Sequence, residues 1–559
     1  MKNLTTKETY FILFFIILFS LFIRIINLEK SPNGFTVDEA QFGYDAYSIL
    51  KTGMDHYGKF FPFYFEGLGY GANPVFVYSI IPFIKFMGLS IFSVRFTSVF
   101  WGILTIIGTY FLTKEIYDEK IALVSSFLVS ISPWAFQYSR MAITEIVSTP
   151  PFIIFGILFL IRGVKKSDEK QLYLGSFLLI FSTYTHAIAK LFSPILFFSF
   201  IVIYRKFFKK HIKTSILCLL IFLITITPVF YFTFFDIGNR RFTTVSIFDE
   251  NYLNQNREKL NSKYIYTPGL NLLIKNDYFV YSYIFLNNYL SHISLDFLFL
   301  TGDQILRHSI RGFGQLFIFE LPLILGGLFL LVKRKSKIDK LILFWLLLFP
   351  VASSLTKEAV PHASRTLIVI PVFQVISGVF ILHLFEWLKF NISKLHTSRK
   401  IFVMFLLVLY IIGSFINVSL YFYNYFFIYP KYSAFSWDYG YSQIVDFIHE
   451  NKKYDKIVTF CCNWGYMEFL FLEKYNPSDF QKCGVNTFFV YNDNCRYKIC
   501  DLDKCNQIQG NNLYITDSSK VKIWLEEHPE FKIVKKIFYP DGTEAFYLIE
   551  NFKFIATDG

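Results

Sequence analysis

The sequence predicts a polytopic α-helical membrane protein with about eleven transmembrane helices and a C-terminal extracytoplasmic α/β domain. The 559 residues are 54% hydrophobic and only 17% charged, with a mean hydropathy of +0.42. A soluble chain of this length needs more polar surface to cover its core. Apolar runs of about 17 to 25 residues recur as far as residue 424, and strand-like alternation follows over residues 425–559.

Each predicted span is an apolar run bounded by polar residues and suited to a hydrocarbon layer of about 30 Å. The predicted spans are residues 9–28, 92–113, 121–138, 145–161, 171–186, 191–204, 214–234, 316–332, 341–355, 366–386 and 401–423. Alternate connections are rich in Lys and Arg, which predicts that they are cytoplasmic. These basic loops explain the net charge of +13, so nucleic acid is not expected as a partner.

The parity of the spans predicts the orientation of the chain in the cell membrane. Lys2 and Lys7 favour a cytoplasmic N-terminus, and an odd number of spans then places the C-terminal domain outside. The first apolar run lacks a small-residue cleavage site, which favours a retained helix over a cleaved signal peptide.

We expect a transmembrane domain over residues 1–424, with outer segments at 29–91 and 235–315, and a separate domain over 425–559. Six of the seven cysteines follow the last span, on the predicted oxidising side, so disulfides are expected among them. They are Cys461, Cys462, Cys483, Cys495, Cys500 and Cys505. A zinc site is the alternative, but no CxxC pair is present.

The first outer segment begins with "SPNGFTVDEAQFGYDAYSIL", residues 31–50. Thr36 and Glu39 have the spacing of a capping box, which predicts a helix ending near Gly53. Asp45 follows Asp38 by seven residues and so lies on nearly the same helix face. Residues 73–90 are apolar but contain two prolines and a lysine, and they predict an interfacial helix or a short twelfth span.

The acidic pair Asp38 and Glu39 has two interpretations. It can simply cap a helix, because carboxylates at a helix N-terminus complement the macrodipole. Alternatively, a carboxylate at an apolar boundary can accept a proton from an alcohol.

Cationic residues in four predicted outer turns favour the second interpretation. Each alone is typical of a surface or interfacial anchor, but together they predict a basic rim suited to a lipid-linked phosphate. The main candidates are Arg140, Lys190, Arg307, Arg311, His362 and Arg365.

Several motifs resemble the bacterial relatives of the dolichyl-phosphate-mannose protein mannosyltransferases and the lipid A aminoarabinose transferases, which share the glycosyltransferase C fold. The motifs are the Asp-Glu pair after the first span, "NPVFVYSIIPFIKFMGLSIFSVRFTSVFWGILT", "ISPWAFQYSR" and "PHASRT". The resemblance is clear over residues 29–165 and weaker to residue 385. Ala72 and Asn73 replace the Glu-Lys that aminoarabinose transferases carry before the equivalent proline, which argues against the same donor and acceptor.

The resemblance implies an inverting transferase that moves a sugar from a polyprenyl phosphate to a hydroxyl of a glycan, lipid or protein. It implies that Asp38 is the catalytic base, that Glu39 supports it, and that Arg140 binds the donor phosphate. His362 and Arg365 are further candidates for the phosphate, and Asp45, Lys190, Arg307 and Arg311 for the substrate cavity. No cofactor is expected, and no ligand cluster in the sequence indicates a divalent cation.

Two other functions remain open at this point. "SWDYGY", residues 436–441, is close to a signature of oligosaccharyltransferases, although it is also typical of a helix start with an aromatic anchor at the membrane interface. A transporter or flippase of lipid-linked sugars is the non-enzymatic alternative. It is disfavoured because the sequence has no internal repeat and its charges gather at the outer ends of spans.

Overall fold

The computed structural model describes residues 5–67, 70–235, 244–264, 268–459, 465–482, 485–486, 489–490, 497–499, 510–517 and 521–551. The chain forms two compact units. The first unit comprises Met1–Ile26, Ser98–Arg140 and Glu145–Phe422, and the second comprises Asn27–Thr97, Met141–Thr144 and Tyr423–Gly559. The six cysteines expected to form disulfides lie outside the described residues. Cys218 is described, and it is a buried free thiol.

The first unit is helical. Its α-helices are Thr6–Ile25, Ile91–Ile116 (from Ser98), Glu119–Ile131, Pro133–Tyr138, Thr149–Lys166, Glu169–Phe181, Ala189–Ile203, Arg205–Lys210, Ile212–Phe235, Glu250–Lys263, Pro268–Ile274, Asp277–His292, Glu320–Arg334, Lys337–Ser354, Ala363–Thr366, Val372–Asn391 and Thr397–Tyr423. Their starts follow elementary capping rules. Thr5 and Ser336 begin capping boxes, and Asp118 and Asp168 accept hydrogen bonds from the first turns that follow them.

Each predicted span overlaps one of these helices. Among the described residues, six segments are long and apolar enough to cross a membrane by length and composition. They are Thr6–Ile25, Ile91–Ile116, Glu145–Lys166, Ile212–Phe235, Val372–Lys394 and Thr397–Tyr432. The protein is therefore an integral membrane protein, while the count of eleven and the orientation stay predictions.

Small residues allow close contact between the helices Thr149–Lys166 and Glu169–Phe181. A Cβ atom added at Gly156 would lie 2.8 Å from the backbone nitrogen of Leu179, and one at Gly175 would lie 2.6 Å from the nitrogen of Leu160. Backbones approach this closely in membranes only where the side chains are small.

The second unit contains the first outer segment and the C-terminal domain. Its α-helices are Val37–Thr52, Pro74–Met87, the start of Ile91–Ile116, Tyr429–Tyr432, Tyr441–Glu450, Tyr466–Leu472, Pro477–Gln481 and Val521–Glu527. Its strands are β1 (Phe65–Gly67), β2 (Tyr70–Ala72), β3 (Lys456–Thr459), β4 (Val485–Asn486), β5 (Phe489–Val490), β6 (Tyr497–Ile499), β7 (Asn512–Asp517), β8 (Phe531–Phe538) and β9 (Glu544–Asn551).

Five C-terminal strands form a mixed sheet in the order β6-β3-β7-β9-β8. β3 is parallel to β6 and β7, whereas β9 is antiparallel to β7 and β8. The sequence "PDG", residues 540–542, is typical of a hairpin turn, and it joins β8 to β9 with Gly542 at φ 88°. Ile444 and Ile448 of the helix Tyr441–Glu450 pack on one face of the sheet against Leu513 and Leu548.

Candidate functional site

The acidic pair lies in the first turn of the helix Val37–Thr52. The predicted capping box is present: the Thr36 hydroxyl accepts the Glu39 amide hydrogen (3.4 Å), and Glu39 Oε2 accepts the Thr36 amide hydrogen (3.3 Å). The helix ends at Gly53, whose φ of 74° is the left-handed conformation that favours glycine. The bounds of this helix were predictable because both ends carry local signals.

The Glu39 carboxylate forms a buried ion pair with the Arg95 guanidinium. Arg95 Nε donates to Glu39 Oε1 at 2.9 Å and Arg95 Nη2 donates to Oε2 at 2.8 Å, and both side chains are fully buried. Glu39 Oε1 also accepts the amide hydrogen of Ala142 at 2.9 Å. With the capping bond to Thr36, this carboxylate accepts four hydrogen bonds, so its role is to position the turn.

Arg95 also shapes the segment that leads into the helix. Its Nη1 donates to the carbonyl oxygens of Leu28 (3.0 Å) and Pro32 (2.9 Å), and its Nη2 donates to that of Gly34 (2.6 Å). Sequence reasoning missed Arg95, although the signal was available. A single arginine within the apolar helix Ile91–Ile116 must find partners where water is scarce.

Asp38 is half-buried and directly precedes Glu39 in this fixed turn. A third carboxylate joins the same helix start, because the Val37 amide donates to Asp438 Oδ2 at 3.4 Å. The helix N-terminus carries a partial positive charge, which favours all three acidic side chains. The capping box and the bonds to Arg95 and Ala142 thus fix the turn that carries Asp38.

The motif "SWDYGY" packs beneath this turn. Trp437 is fully buried, and its indole nitrogen donates to the Tyr429 hydroxyl at 2.9 Å. Its carbonyl oxygen would lie 2.1 Å from a Cβ atom at Gly34, whose φ is 124°, so position 34 requires glycine. Gly440 begins the helix Tyr441–Glu450, which confirms the helix start expected there, but Trp437 lies in the core of the second unit.

Asp45 forms a second buried pair on the same helix. Its Oδ1 lies 2.5 Å from His56 Nδ1 and accepts the His56 amide hydrogen at 3.1 Å, with both side chains almost fully buried. Burial alone would lower the pKa of His56, but the Asp45 charge and hydrogen bond outweigh it, so the pKa is raised. Burial, then the Asp45 charge, raise the pKa of Asp55 to about 6. Asp45 thus fixes the turn after the helix.

Arg140, in the first unit, caps a helix. It is fully buried, and its Nη1 donates to the carbonyl oxygens of Ile23 (2.9 Å) and Arg24 (2.6 Å), at the end of the helix Thr6–Ile25. A cation is favourable at a helix C-terminus. Lys190 Nζ donates to the Thr233 hydroxyl at 3.1 Å. The contribution of Arg140 to the phosphate site and that of Lys190 to the substrate cavity stay predictions.

His362 and Arg365 lie together at the start of the short helix Ala363–Thr366. The His362 side chain accepts the Arg365 amide hydrogen at 3.4 Å, and Arg365 Nη1 donates to Thr356 Oγ1 at 2.7 Å. Both residues are 9% exposed. Burial first, then the nearby charges of His308 and Arg365, hold the pKa of His362 well below its usual range.

The loop of residues 301–315 adds His308 to this region. The His308 and His362 rings lie 4.7 Å apart between centroids, and His308 Nδ1 lies 3.0 Å from Asp303 Oδ2. The helix Pro133–Tyr138 holds this loop, because Gln137 donates to the Arg307 carbonyl oxygen at 2.9 Å. The Arg307 side chain is half-buried and that of Arg311 is exposed.

Comparison with known proteins identifies the fold. Over 98% of this chain and 99% of the other, the structure matches the crystal structure of ArnT from Cupriavidus metallidurans in the apo state, with a TM-score of 0.55 and 11% identity. The chain has the glycosyltransferase C fold. A second structure of the same protein, bound to undecaprenyl phosphate, matches with a TM-score of 0.54 and 11% identity over 96% of this chain and 97% of the other.

The sequence itself also matches a family model. Residues 72–232 match the model described as dolichyl-phosphate-mannose-protein mannosyltransferase, which confirms the predicted resemblance. No curated protein matches the chain. The apo oligosaccharyltransferase of Archaeoglobus fulgidus has the same fold, with a TM-score of 0.50 and 15% identity over 84% of this chain and 64% of the other.

Proposed function

We propose that this protein is an inverting membrane glycosyltransferase that moves a sugar from a polyprenyl-phosphate donor to an acceptor hydroxyl on the extracytoplasmic face. The class of donor is supported by the family model over residues 72–232 and by the fold shared with ArnT, one structure of which is bound to undecaprenyl phosphate. The proposal rests mainly on the different surroundings of the two acidic side chains, Asp38 and Glu39. Glu39 is bonded to Arg95 and the backbone, and it fixes the turn that presents Asp38.

In the proposed reaction Asp38 accepts the proton of the acceptor hydroxyl. The acceptor oxygen forms a bond to C1 of the sugar while the bond from C1 to the phosphate oxygen breaks. The electron pair of that bond leaves with the polyprenyl phosphate, so the products are the glycosylated acceptor and the lipid monophosphate. A single displacement of this kind inverts the configuration at C1.

The proposed phosphate-binding groups are Arg365 and His362, because they are buried and adjacent, with His308 beside His362. Arg365 is the cation, and His362, whose lowered pKa keeps the imidazole neutral, is a hydrogen-bond donor. Hydrogen bonds from a fixed cation and a neutral donor to a departing phosphate stabilise the charge that develops on it. We propose that Arg140 acts indirectly, by holding the end of the helix Thr6–Ile25.

The proposal is tested with purified full-length protein and radiolabelled polyprenyl-phosphate hexoses and pentoses. We expect label to leave one class of lipid and enter an acceptor in membrane extracts. Asp38→Asn is expected to bind the same lipid but to lower the rate of transfer about 10²- to 10⁴-fold, the usual effect of losing a general base. Asp446→Asn is the matched control, because Asp446 is exposed on the helix Tyr441–Glu450. Undiminished transfer by Asp38→Asn would remove Asp38 as the base.

An oligosaccharyltransferase-like activity is the alternative, because the motif at residues 436–441 and the archaeal fold match both point to that class. The nature of the acceptor decides between the two. Label attached to the side-chain nitrogen of asparagine, and stable to mild base, would favour the alternative. Label attached through oxygen would favour the proposed transferase.

A further inference from the structure

We propose that Asp303, His308 and His362 form a binding site for one divalent transition-metal ion, for which Zn²⁺ is the best match. The sequence does not indicate this site, because His362 lies far along the chain from Asp303 and His308. The three residues follow no metal-binding motif in the sequence. All three belong to the first unit, and folding brings one ligand atom of each to within 4.8 Å of the others.

The ligand types favour zinc. Two imidazole nitrogens and one carboxylate oxygen are ligands that Zn²⁺ binds in tetrahedral geometry, with the fourth position open to water or substrate. Ligand atoms around a tetrahedral zinc lie roughly 3.3 Å apart, as follows from bond lengths of about 2 Å. His308 Nδ1 and Asp303 Oδ2 are already 3.0 Å apart, and a ligand nitrogen of His362 lies within 4.8 Å of a ligand atom of each residue.

The surroundings hold Asp303 in place as a ligand. Asp303 Oδ1 accepts the Ile305 amide hydrogen at 2.8 Å, and Oδ2 accepts that of Ala363 at 2.7 Å. The Asp303 amide in turn donates to Ser309 Oγ at 2.9 Å. Ligands held by such outer contacts are oriented before the ion arrives, which strengthens metal binding.

A second set of contacts fixes the backbone of His362. His292 Nε2 accepts the His362 amide hydrogen at 3.1 Å and lies 2.8 Å from the Ser353 hydroxyl. His292 Nδ1 lies 2.7 Å from the carbonyl oxygen of Asn288 and therefore carries the proton. These contacts hold His362 against the helices Asp277–His292 and Lys337–Ser354.

The competing explanation is a network without metal, in which His308 pairs with Asp303 and His362 caps the helix Ala363–Thr366. The cap is weak, since the bond from the Arg365 amide to His362 Nδ1 is 3.4 Å long. It also gives no reason for the approach of the two imidazole rings, whose centroids lie 4.7 Å apart. The two explanations differ in what happens when zinc is supplied.

The test uses the full chain in detergent, stripped with a chelator and titrated with Zn²⁺ by calorimetry. Metal content after dialysis is measured by inductively coupled plasma mass spectrometry. We expect one equivalent of zinc in the wild type. Asp303→Asn and His308→Gln should each lower the affinity about 100-fold or more, since even outer-contact changes cost 10- to 100-fold. His396→Gln, at an exposed histidine, should leave the affinity unchanged.

A ligand exchange keeps the test decisive if these variants fold poorly. His308→Cys supplies a thiolate in place of the imidazole, so the Co²⁺-loaded variant should show a sulfur-to-cobalt charge-transfer band that the wild type lacks. The proposal is overturned if the wild type binds less than a stoichiometric amount of zinc. It is also overturned if His308→Cys shows no such band, or if the variants bind zinc as tightly as the wild type. Neither readout depends on transferase activity.

Discussion

The buried pair Glu39–Arg95 allows a quantitative prediction. Glu39→Gln preserves the shape of the side chain but leaves the Arg95 charge without its counter-ion in a fully buried place. Removing one partner of such a pair costs about 3 to 5 kcal/mol. Arg95 keeps its three bonds to carbonyl oxygens of the loop, so we expect the lower end of that range, about 3 kcal/mol.

Arg95→Met should cost more than Glu39→Gln. It removes the counter-ion of Glu39 and also leaves the carbonyl oxygens of Leu28, Pro32 and Gly34 without their donor. A buried polar group that loses its partner costs about 1 to 3 kcal/mol. The double variant should be less destabilised than the sum of the two single variants, because it buries no lone charge.

Hydrogen exchange measured by mass spectrometry on peptides covering residues 27–52 is the suitable assay, because it reports local opening in detergent. A loss of about 3 kcal/mol corresponds to roughly 10²-fold faster exchange, at about 1.4 kcal/mol for each factor of ten. Glu66→Gln is the matched control. Its pair with Lys59 is partly exposed, so it should change exchange by less than about 1 kcal/mol. Equal exchange in Glu39→Gln and Glu66→Gln would refute the reasoning.

Two further predictions concern the same unit. Gly34→Ala should lower thermal stability more than Gly58→Ala: both glycines have positive φ, but only the Cβ atom at position 34 meets the Trp437 carbonyl oxygen. We expect about 1 to 3 kcal/mol beyond the control, and equal melting temperatures would contradict this. The pKa of Asp55 is raised from 3.8 to about 6. The protonated Asp55 carboxyl therefore contributes fully to stability below pH 3.8, and this contribution is lost as the pH rises to about 6. Asp55→Asn should flatten this part of the curve of melting temperature against pH, and an unchanged curve would exclude the assignment.

The sequence was most informative where signals are local. The capping box of Thr36 and Glu39, the "PDG" turn and the apolar runs each depend on residues close together in the chain, and each predicted a helix or a turn that the structure has. The pair of Glu39 with Arg95 joins residues 56 apart, and no periodicity carries that information. The same holds for Asp303, His308 and His362, which meet only through tertiary packing.

Charged residues at a membrane boundary were harder to assign, for a physical reason. Arg140 and Asp45 have residue types suited to a substrate cavity, but the same charges also satisfy backbone groups where water is scarce. In the structure Arg140 caps the end of a helix, and Asp45 accepts the amide hydrogen of His56 in a turn. Residue type alone does not distinguish binding of substrate from capping of backbone groups, because the same side-chain groups form the hydrogen bonds in both cases.

The bond between the Val37 amide and Asp438 has a consequence for biosynthesis. The two residues are 401 positions apart, and translation at about 5 to 20 residues per second separates their appearance by roughly 20 to 80 s. During that interval the Val37 amide lacks this acceptor, while the capping box and the Arg95 pair already have both of their partners. Products of premature termination before residue 438 therefore start the helix Val37–Thr52 with one hydrogen bond fewer than the full chain.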